Sequence, residues 1–188
     1  MITFVVPTIG RPSLAATLES IEAWPGDQIV IVAELDVLGE LDAVRVSSLA
    51  GQASVLLLAC TRGNDWGHTE RNFATPHVRT PYVAHIDDDD VYASGSRLVM
   101  SRAIHDTPNR PIIFKMRYPN GLELWQSQVL RCGNVGTPMF LLPNDPEKMT
   151  GTWAPYVGGD FAFLEGCKWR FEDYVWRPEV VALLGHNT

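Results

Sequence analysis

Tyr82-Val83-Ala84-His85-Ile86-Asp87-Asp88-Asp89-Asp90 is an apolar run that opens directly into four carboxylates. Residues 82–86 read as a buried strand, with the acids following at its carboxyl end. Successive side chains of an extended segment point to opposite sides, so Asp87 and Asp89 share one face and Asp88 and Asp90 the other. Like charges this close repel unless a cation lies between them. Two same-face carboxylates supply part of an oxygen shell for Mg or Mn, which substrate phosphates and water would complete. A solvated acidic turn is the other reading, and the run by itself leaves both open.

The segments before this run alternate extended and helical patterns, as strand-helix-strand units around a largely parallel sheet do. Residues 2–6 form a first strand, broken by Pro7-Thr8-Ile9-Gly10-Arg11-Pro12-Ser13. Leu14, Leu18 and Ile21 then recur at the spacing of a buried helical stripe that Pro25-Gly26 closes. Residues 28–33 make a second strand, and Leu38, Leu41, Val44 and Leu49 a second helix. Residues 53–59 make a third strand, whose unbroken apolarity predicts burial on both faces. A short helix over residues 67–77 leads into the strand that carries the acids. Beyond them, Leu98, Val99, Arg102 and Ile104 continue a helix. Two extended runs flank Pro119-Asn120-Gly121, a hairpin signal, and residues 179–184 read as the final strand. Residues 143–152 predict a surface loop suited to act as a lid. The expectation is one α/β domain over residues 1–188, with a mixed, mostly parallel sheet flanked by helices and a hairpin in its second half.

Composition narrows the function classes. A formal charge of -7 disfavours nucleic acid and anionic membranes, which are met by clustered Lys and Arg. The opening Met1-Ile2-Thr3-Phe4-Val5-Val6-Pro7 is too short and lacks a basic leader, which predicts neither a secretory signal nor a membrane span and so a cytoplasmic protein. Cys60, Cys132 and Cys167 are far apart, as reduced thiols are, rather than spaced for zinc or a disulfide frame.

In open sheets of this kind ligands bind beyond the carboxyl ends of the strands. Four loops meet there: Pro7 to Arg11, Glu34 with Asp36, Arg62-Gly63-Asn64, and Asp87 to Asp90. Together they offer carboxylates for a base or ribose, arginines for a diphosphate and a metal site for the phosphates. Seen singly, Glu34 and Asp36 also suit a lead into the next helix, and Arg62 a solvated loop.

Pro7-Thr8-Ile9-Gly10-Arg11 with Leu14 and Leu18, then Gly67 with Arg71-Asn72-Phe73-Ala74, then His85 to Tyr92, resembles the nucleotide-binding half of family 2 glycosyltransferases with the GT-A fold. The resemblance maps the family's Asp-x-Asp motif onto Asp87, Asp88 and Asp89, and its Arg-Asn pair onto Arg71 and Asn72. It implies a nucleotide-diphosphate-sugar donor held by Pro7, Thr8, Gly10, Arg11, Glu34, Asp36, Arg62, Gly67, Arg71, Asp87 and Asp88, with residues 1–92 as the donor half and 93–188 as the acceptor side. Mn or Mg is then held by Asp87 and Asp89, with His186 as a further ligand or simply part of the chain end. Two departures stand out. Ala33-Glu34-Leu35-Asp36 replaces the usual Asp-Asp-Gly-Ser, and the Gln-x-x-Arg-Trp element of processive synthases is absent, which favours transfer of single sugars.

An acceptor hydroxyl needs a base. In the same resemblance Asp160, within Tyr156-Val157-Gly158-Gly159-Asp160, falls on the family's Glu-Asp element; a helix cap is the plainer reading. Glu172 and Asp173 form a rival pair ahead of the last strand. Trp153 and Tyr156 are the aromatic residues expected to meet an acceptor, whose class the sequence leaves open. A sugar-nucleotide pyrophosphorylase and a non-catalytic nucleotide-sugar or divalent-ion binding module remain as alternatives. The hairpin at Asn120-Gly121 offers an edge for a homodimer.

Overall fold

Among the described residues, nine strands join in one curled sheet. The computed structural model describes residues 1–39, 41–61 and 63–185. The first half is the expected parallel unit. β1 (Ile2–Thr8), β2 (Gln28–Glu34), β3 (Ser54–Cys60) and β4 (Tyr82–His85) run in one direction. Parallel neighbours need crossovers, supplied by α1 (Leu14–Ser20), by α2 (Leu35–Leu38) with α3 (Ala43–Leu49), and by α4 (His68–Ala74). The second expected helix is thus two short ones. Asp42 divides them, accepting the backbone N–H groups of Val44 and Arg45 as the cap of α3.

Every residue of β1 and β2 is buried, as their apolar sequences require of strands covered on both faces. β3 differs from expectation: despite its apolar run it is mostly half-buried, because it forms the sheet edge. Leu14, Leu18 and Ile21 from α1 pack into the same core, at the spacing read from the sequence.

β5 (Val91–Tyr92) follows the acidic run and α5 (Ser96–Asp106) follows β5. β6 (Ile112–Arg117) and β7 (Glu123–Leu124) form the expected hairpin, pairing Met116 with Leu124 and Arg117 with Glu123. β8 (Phe140–Pro143) lies antiparallel between β4 and β6, and β9 (Val175–Leu183) runs parallel to β6. β5 pairs with β9 at the far edge, so the acids leave β4 and cross the curl of the sheet. α6 (Gly159–Gly166) covers the second half. The loop expected to be a lid is fastened instead. Lys168 N–H donates to the Lys148 carbonyl at 2.8 Å and Thr150 Oγ1 to that of Gly166 at 2.9 Å. A Cβ on Gly151 would lie 1.9 Å from the Phe163 carbonyl oxygen, so this segment presses on α6.

One buried ion pair ties the start of β2 to α5. Asp27 accepts Arg97 Nε at 2.6 Å and Nη2 at 2.9 Å, and also the N–H groups of Ile2 at 2.8 Å and Trp24 at 2.9 Å. The guanidinium lies 4.3 Å from the Trp24 ring centre. These bonds hold the carboxyl below its usual range against the opposing effect of burial. Among the described residues no helix is long and apolar enough to cross a membrane.

Candidate active site

Parallel strands bring their carboxyl ends to one rim, and here that rim encloses a cleft of about 420 Å³. The β1 loop contributes Pro7, Thr8, Ile9 and Arg11, and the end of β2 contributes Glu34. Asn64, Asp65, Trp66 and Gly67 come from the β3–α4 connection, Glu70 from α4, and Asp87, Asp88 and Asp89 from beyond β4. Two glycines permit the close approach of these loops. Gly10 has φ +82°, and a Cβ there would lie 2.6 Å from Val37 Cγ1. Gly67 has φ +78°, and a Cβ would meet Pro7 Cγ at 2.9 Å and Arg71 Nη1 at 3.1 Å.

The acids do not continue the extended strand. Asp90 N–H donates to the Asp87 carbonyl at 3.2 Å, closing a turn, so strict alternation fails and three consecutive acids reach the cleft. Their environments differ. Asp88 is 2% exposed and accepts Thr8 Oγ1 at 2.7 Å, Ile9 N–H at 3.2 Å and Arg11 Nη1 at 2.5 Å. It fastens the β1 loop to the end of β4. Asp89 faces the cleft with Arg11 Nη1 at 3.4 Å. Asp87 pairs with the buried Arg71 guanidinium, which also donates to the Trp66 carbonyl at 2.7 Å and lies 5.0 Å from the centre of the Trp153 ring. Although a third of the Asp87 side chain is exposed, its setting in the rim desolvates the carboxylate and raises it to about 6. Arg71 opposes that shift, while Asp160, Asp89 and Asp88 add to it. Asp90 is buried away from the cleft and pushed up to about 7 by desolvation, against the hydrogen bond that Gly185 N–H donates at 2.8 Å.

Asp160 stands in the first turn of α6 and accepts Thr137 Oγ1 at 2.6 Å. Asp160 acts on Asp87 as a like charge, although it does not itself line the cleft.

Of the residues singled out in the sequence, Pro7, Thr8, Arg11, Glu34, Gly67, Asp87, Asp88 and Asp89 line one cleft. Gly10 shapes the loop and Arg71 backs the rim. Asp36 is exposed on α2 and does not line the cleft, because the strand continues through Glu34 before the chain turns. Arg62 and His186 lie outside the described residues. Trp153 corrects the expectation of an acceptor platform: only 1% exposed, it is stacked on Phe163 at 4.3 Å and beside His68 at 5.8 Å, with both ring faces taken. Its backbone is clasped by Asn72, which donates to the Trp153 carbonyl and accepts its N–H. Tyr156, by contrast, is exposed.

His85, inside the strand that leads to the acids, is 3% exposed, and its Nδ1 has no partner among the described residues. It meets Trp153 edge-on at 5.0 Å and Phe163 at 6.3 Å. Burial first, then the Arg71 charge, push it down to about 3, so it stays neutral. Because this folded value lies below the ordinary ~6.5, the unfolded chain takes up the proton first as pH falls. The stabilisation is complete above that value and is lost at about 1.4 kcal/mol per pH unit on the way down. Denaturant titrations at pH 7 and pH 5 should differ by roughly 2 kcal/mol from this group, a difference that His85→Gln removes.

No family model matches the chain, and no curated protein matches it. Solved structures do. S. aureus TarS superposes with a TM-score of 0.75 at 12% identity, over 97% of this chain and 36% of that one. TarS 1-349 in complex with UDP gives 0.72 at 13% identity, over 97% and 59%. The mannosyltransferase PcManGT from Pyrobaculum calidifontis, in complex with GDP-Man and Mn2+, gives 0.70 at 17% identity, over 98% and 56%. The chain has the GT-A glycosyltransferase fold. It spans about a third to three fifths of the length of these chains.

A GT-A fold raises the question of a divalent metal. Among the described residues no group of three His, Cys, Asp or Glu side chains could hold one. Asp87 and Asp89 nevertheless face the cleft with carboxylate oxygens alone, a donor set that suits Mg or Mn when a ligand's phosphates complete the shell. The residues present fit a metal shared with substrate.

Two lining acids escaped the sequence reading. Asp65 accepts Thr69 N–H and, at 2.6 Å, Thr69 Oγ1, locking the start of α4. Glu70 is buried on the same helix. The available signal was a charged pair, Glu70-Arg71, at the inward positions that lead on to Ala74.

Proposed function

We propose that this GT-A chain carries a metal-dependent, inverting glycosyltransferase site that moves one sugar from a nucleotide-diphosphate sugar to an acceptor hydroxyl. The observation that carries this reading is the convergence of three acids and Arg11 on one cleft at the carboxyl ends of parallel strands, with Asp160 of α6 acting on Asp87 as a further like charge. The nucleotide-sugar complexes of PcManGT and TarS, on the same fold, support it.

Bound by Asp89 and Asp87 together with the donor's phosphates, Mn or Mg would supply positive charge to the departing diphosphate. Arg11, whose side chain is 43% exposed, adds charge from the protein. Arg71 acts from behind the rim by fixing Asp87. Asp160 accepts the proton of the acceptor hydroxyl as that oxygen bonds to the anomeric carbon, on the side opposite the breaking bond to the diphosphate.

Incubation with a panel of nucleotide sugars and Mn2+, with the product anomer read by NMR, tests the assignment. Asp89→Ala is expected to lower turnover roughly 10²- to 10³-fold and to abolish the response to Mn2+; unchanged turnover would remove the metal role. Pyrophosphate release from a nucleoside triphosphate and a sugar phosphate would assign a pyrophosphorylase instead. Saturable nucleotide binding without turnover on any acceptor or water would leave a binding module.

A further inference from the structure

Asp87 to Asp89 occupy one end of the cleft, and the opposite end is built differently. The sheet order β3-β2-β1-β4 sets the end of β2 two strand spacings from β4 and the end of β3 three, or about 10 and 14 Å. A nucleoside diphosphate laid across those strands, with its phosphates at Arg11 and the acids, therefore brings its base to the β3–α4 side. Two features wait there. Trp66, held at φ +58° and 65% exposed, presents an unburied aromatic ring at the wall of the cleft. Glu70 also lines the cleft, yet it is only 4% exposed and its Oε2 has no hydrogen-bond partner among the described residues. Burial disfavours its charged form, and Asp65 and Glu34 act on it as like charges, against its own backbone N–H and the Arg71 charge. The Cys60 thiol, which hydrogen-bonds to the Glu70 carboxylate, is itself held up, to about 11, by burial and by that carboxylate. A buried acceptor in this position is stabilised when a ligand brings N–H donors to it.

The geometry points to Glu70 as the residue that selects the base, with guanine as its ligand: the carboxylate accepts the adjacent N1–H and N2–H groups of a guanosine diphosphate whose ring stacks on Trp66. This rests on the nucleotide-sugar reading above and narrows it to guanine donors. Guanine is the common base whose hydrogen-bonding edge carries two neighbouring donors matched to a carboxylate. Uracil offers one N–H between two carbonyl oxygens, which a carboxylate repels. Adenine and cytosine place a ring acceptor beside their amino group. The indole contributes to every base alike, because each has a π face.

Calorimetry of the whole chain in one Mg2+ buffer, with GDP, IDP, UDP, CDP and ADP as probes, tests the assignment. GDP is expected to bind tightest. IDP, which lacks only the exocyclic amino group, should bind roughly 10-fold more weakly, and UDP roughly 10- to 100-fold more weakly. Glu70→Gln should bring GDP down to the level of UDP while UDP stays within a few-fold of its wild-type value, and Trp66→Ala should weaken all five together. Equal binding of GDP, IDP and UDP by the wild-type chain would overturn the base assignment and leave the nucleotide-sugar reading standing. Absence of binding by all five would overturn both. The wild-type ranking needs no variant, so it decides the question even if Glu70→Gln fails to fold, which its circular dichroism would reveal.

Discussion

Asp160→Asn is expected to reduce sugar transfer by roughly 10²- to 10⁴-fold while leaving nucleotide affinity unchanged, because the amide cannot take up the acceptor proton. The substitution keeps the shape of the side chain, and the remaining carbonyl oxygen still accepts the hydroxyl of Thr137, now 2.6 Å from Oδ1. A helix-capping role predicts something else: α6 carries its left-handed cap at Gly158, and Asp160 is not its cap, so loss of the charge should cost little stability. The two readings therefore separate cleanly. Loss of rate with an unchanged melting temperature and unchanged nucleotide binding identifies a base. Full transfer activity in Asp160→Asn removes it.

The largest effect on stability is expected at the opposite end of the strands. Asp27→Ala should cost about 3–5 kcal/mol, since it strands a guanidinium that is almost wholly buried. Through the same carboxylate, Ile2 and Trp24 lose the acceptor for their backbone N–H groups. For a domain of this size that loss corresponds to a melting temperature lower by roughly 10 °C. Arg97→Met should be milder, because Asp27 keeps both backbone donors and the methionine fills part of the space over Trp24. Asp27 ionises below its usual range in the fold, so the contribution is present above the ordinary carboxylate pKa and fades as pH falls through the lowered one. Urea unfolding of both variants at neutral pH measures the difference. A loss below about 1 kcal/mol in Asp27→Ala would mean that water replaces the partner with little penalty.

The parallel half of the sheet was legible because its determinants are local. Apolar runs of strand length, glycine-marked turns and a helical stripe at Leu14, Leu18 and Ile21 each specify an element without reference to distant residues. The acidic rim was legible for the same reason. Side-chain partners were not, since they depend on what the fold brings near. Trp153 beside a polar loop looks like a platform for a ligand, and only the arrival of His68 and Phe163 on its two faces makes it core. β3 reads as a central strand until the sheet order leaves it at the edge. Glu70 was hidden by its helix, whose pattern reveals which face is inward and not which strand ends it will meet.

Arg71 joins three stretches of chain far apart in sequence: the carboxylate of Asp87, the carbonyl of Trp66 and the indole of Trp153. Trp66 is consequently fastened by the chain's own contacts. On the proposed nucleotide-sugar reading, capture of a donor need not be taxed by the entropy of ordering that residue, and more of the intrinsic contact energy appears as residence time.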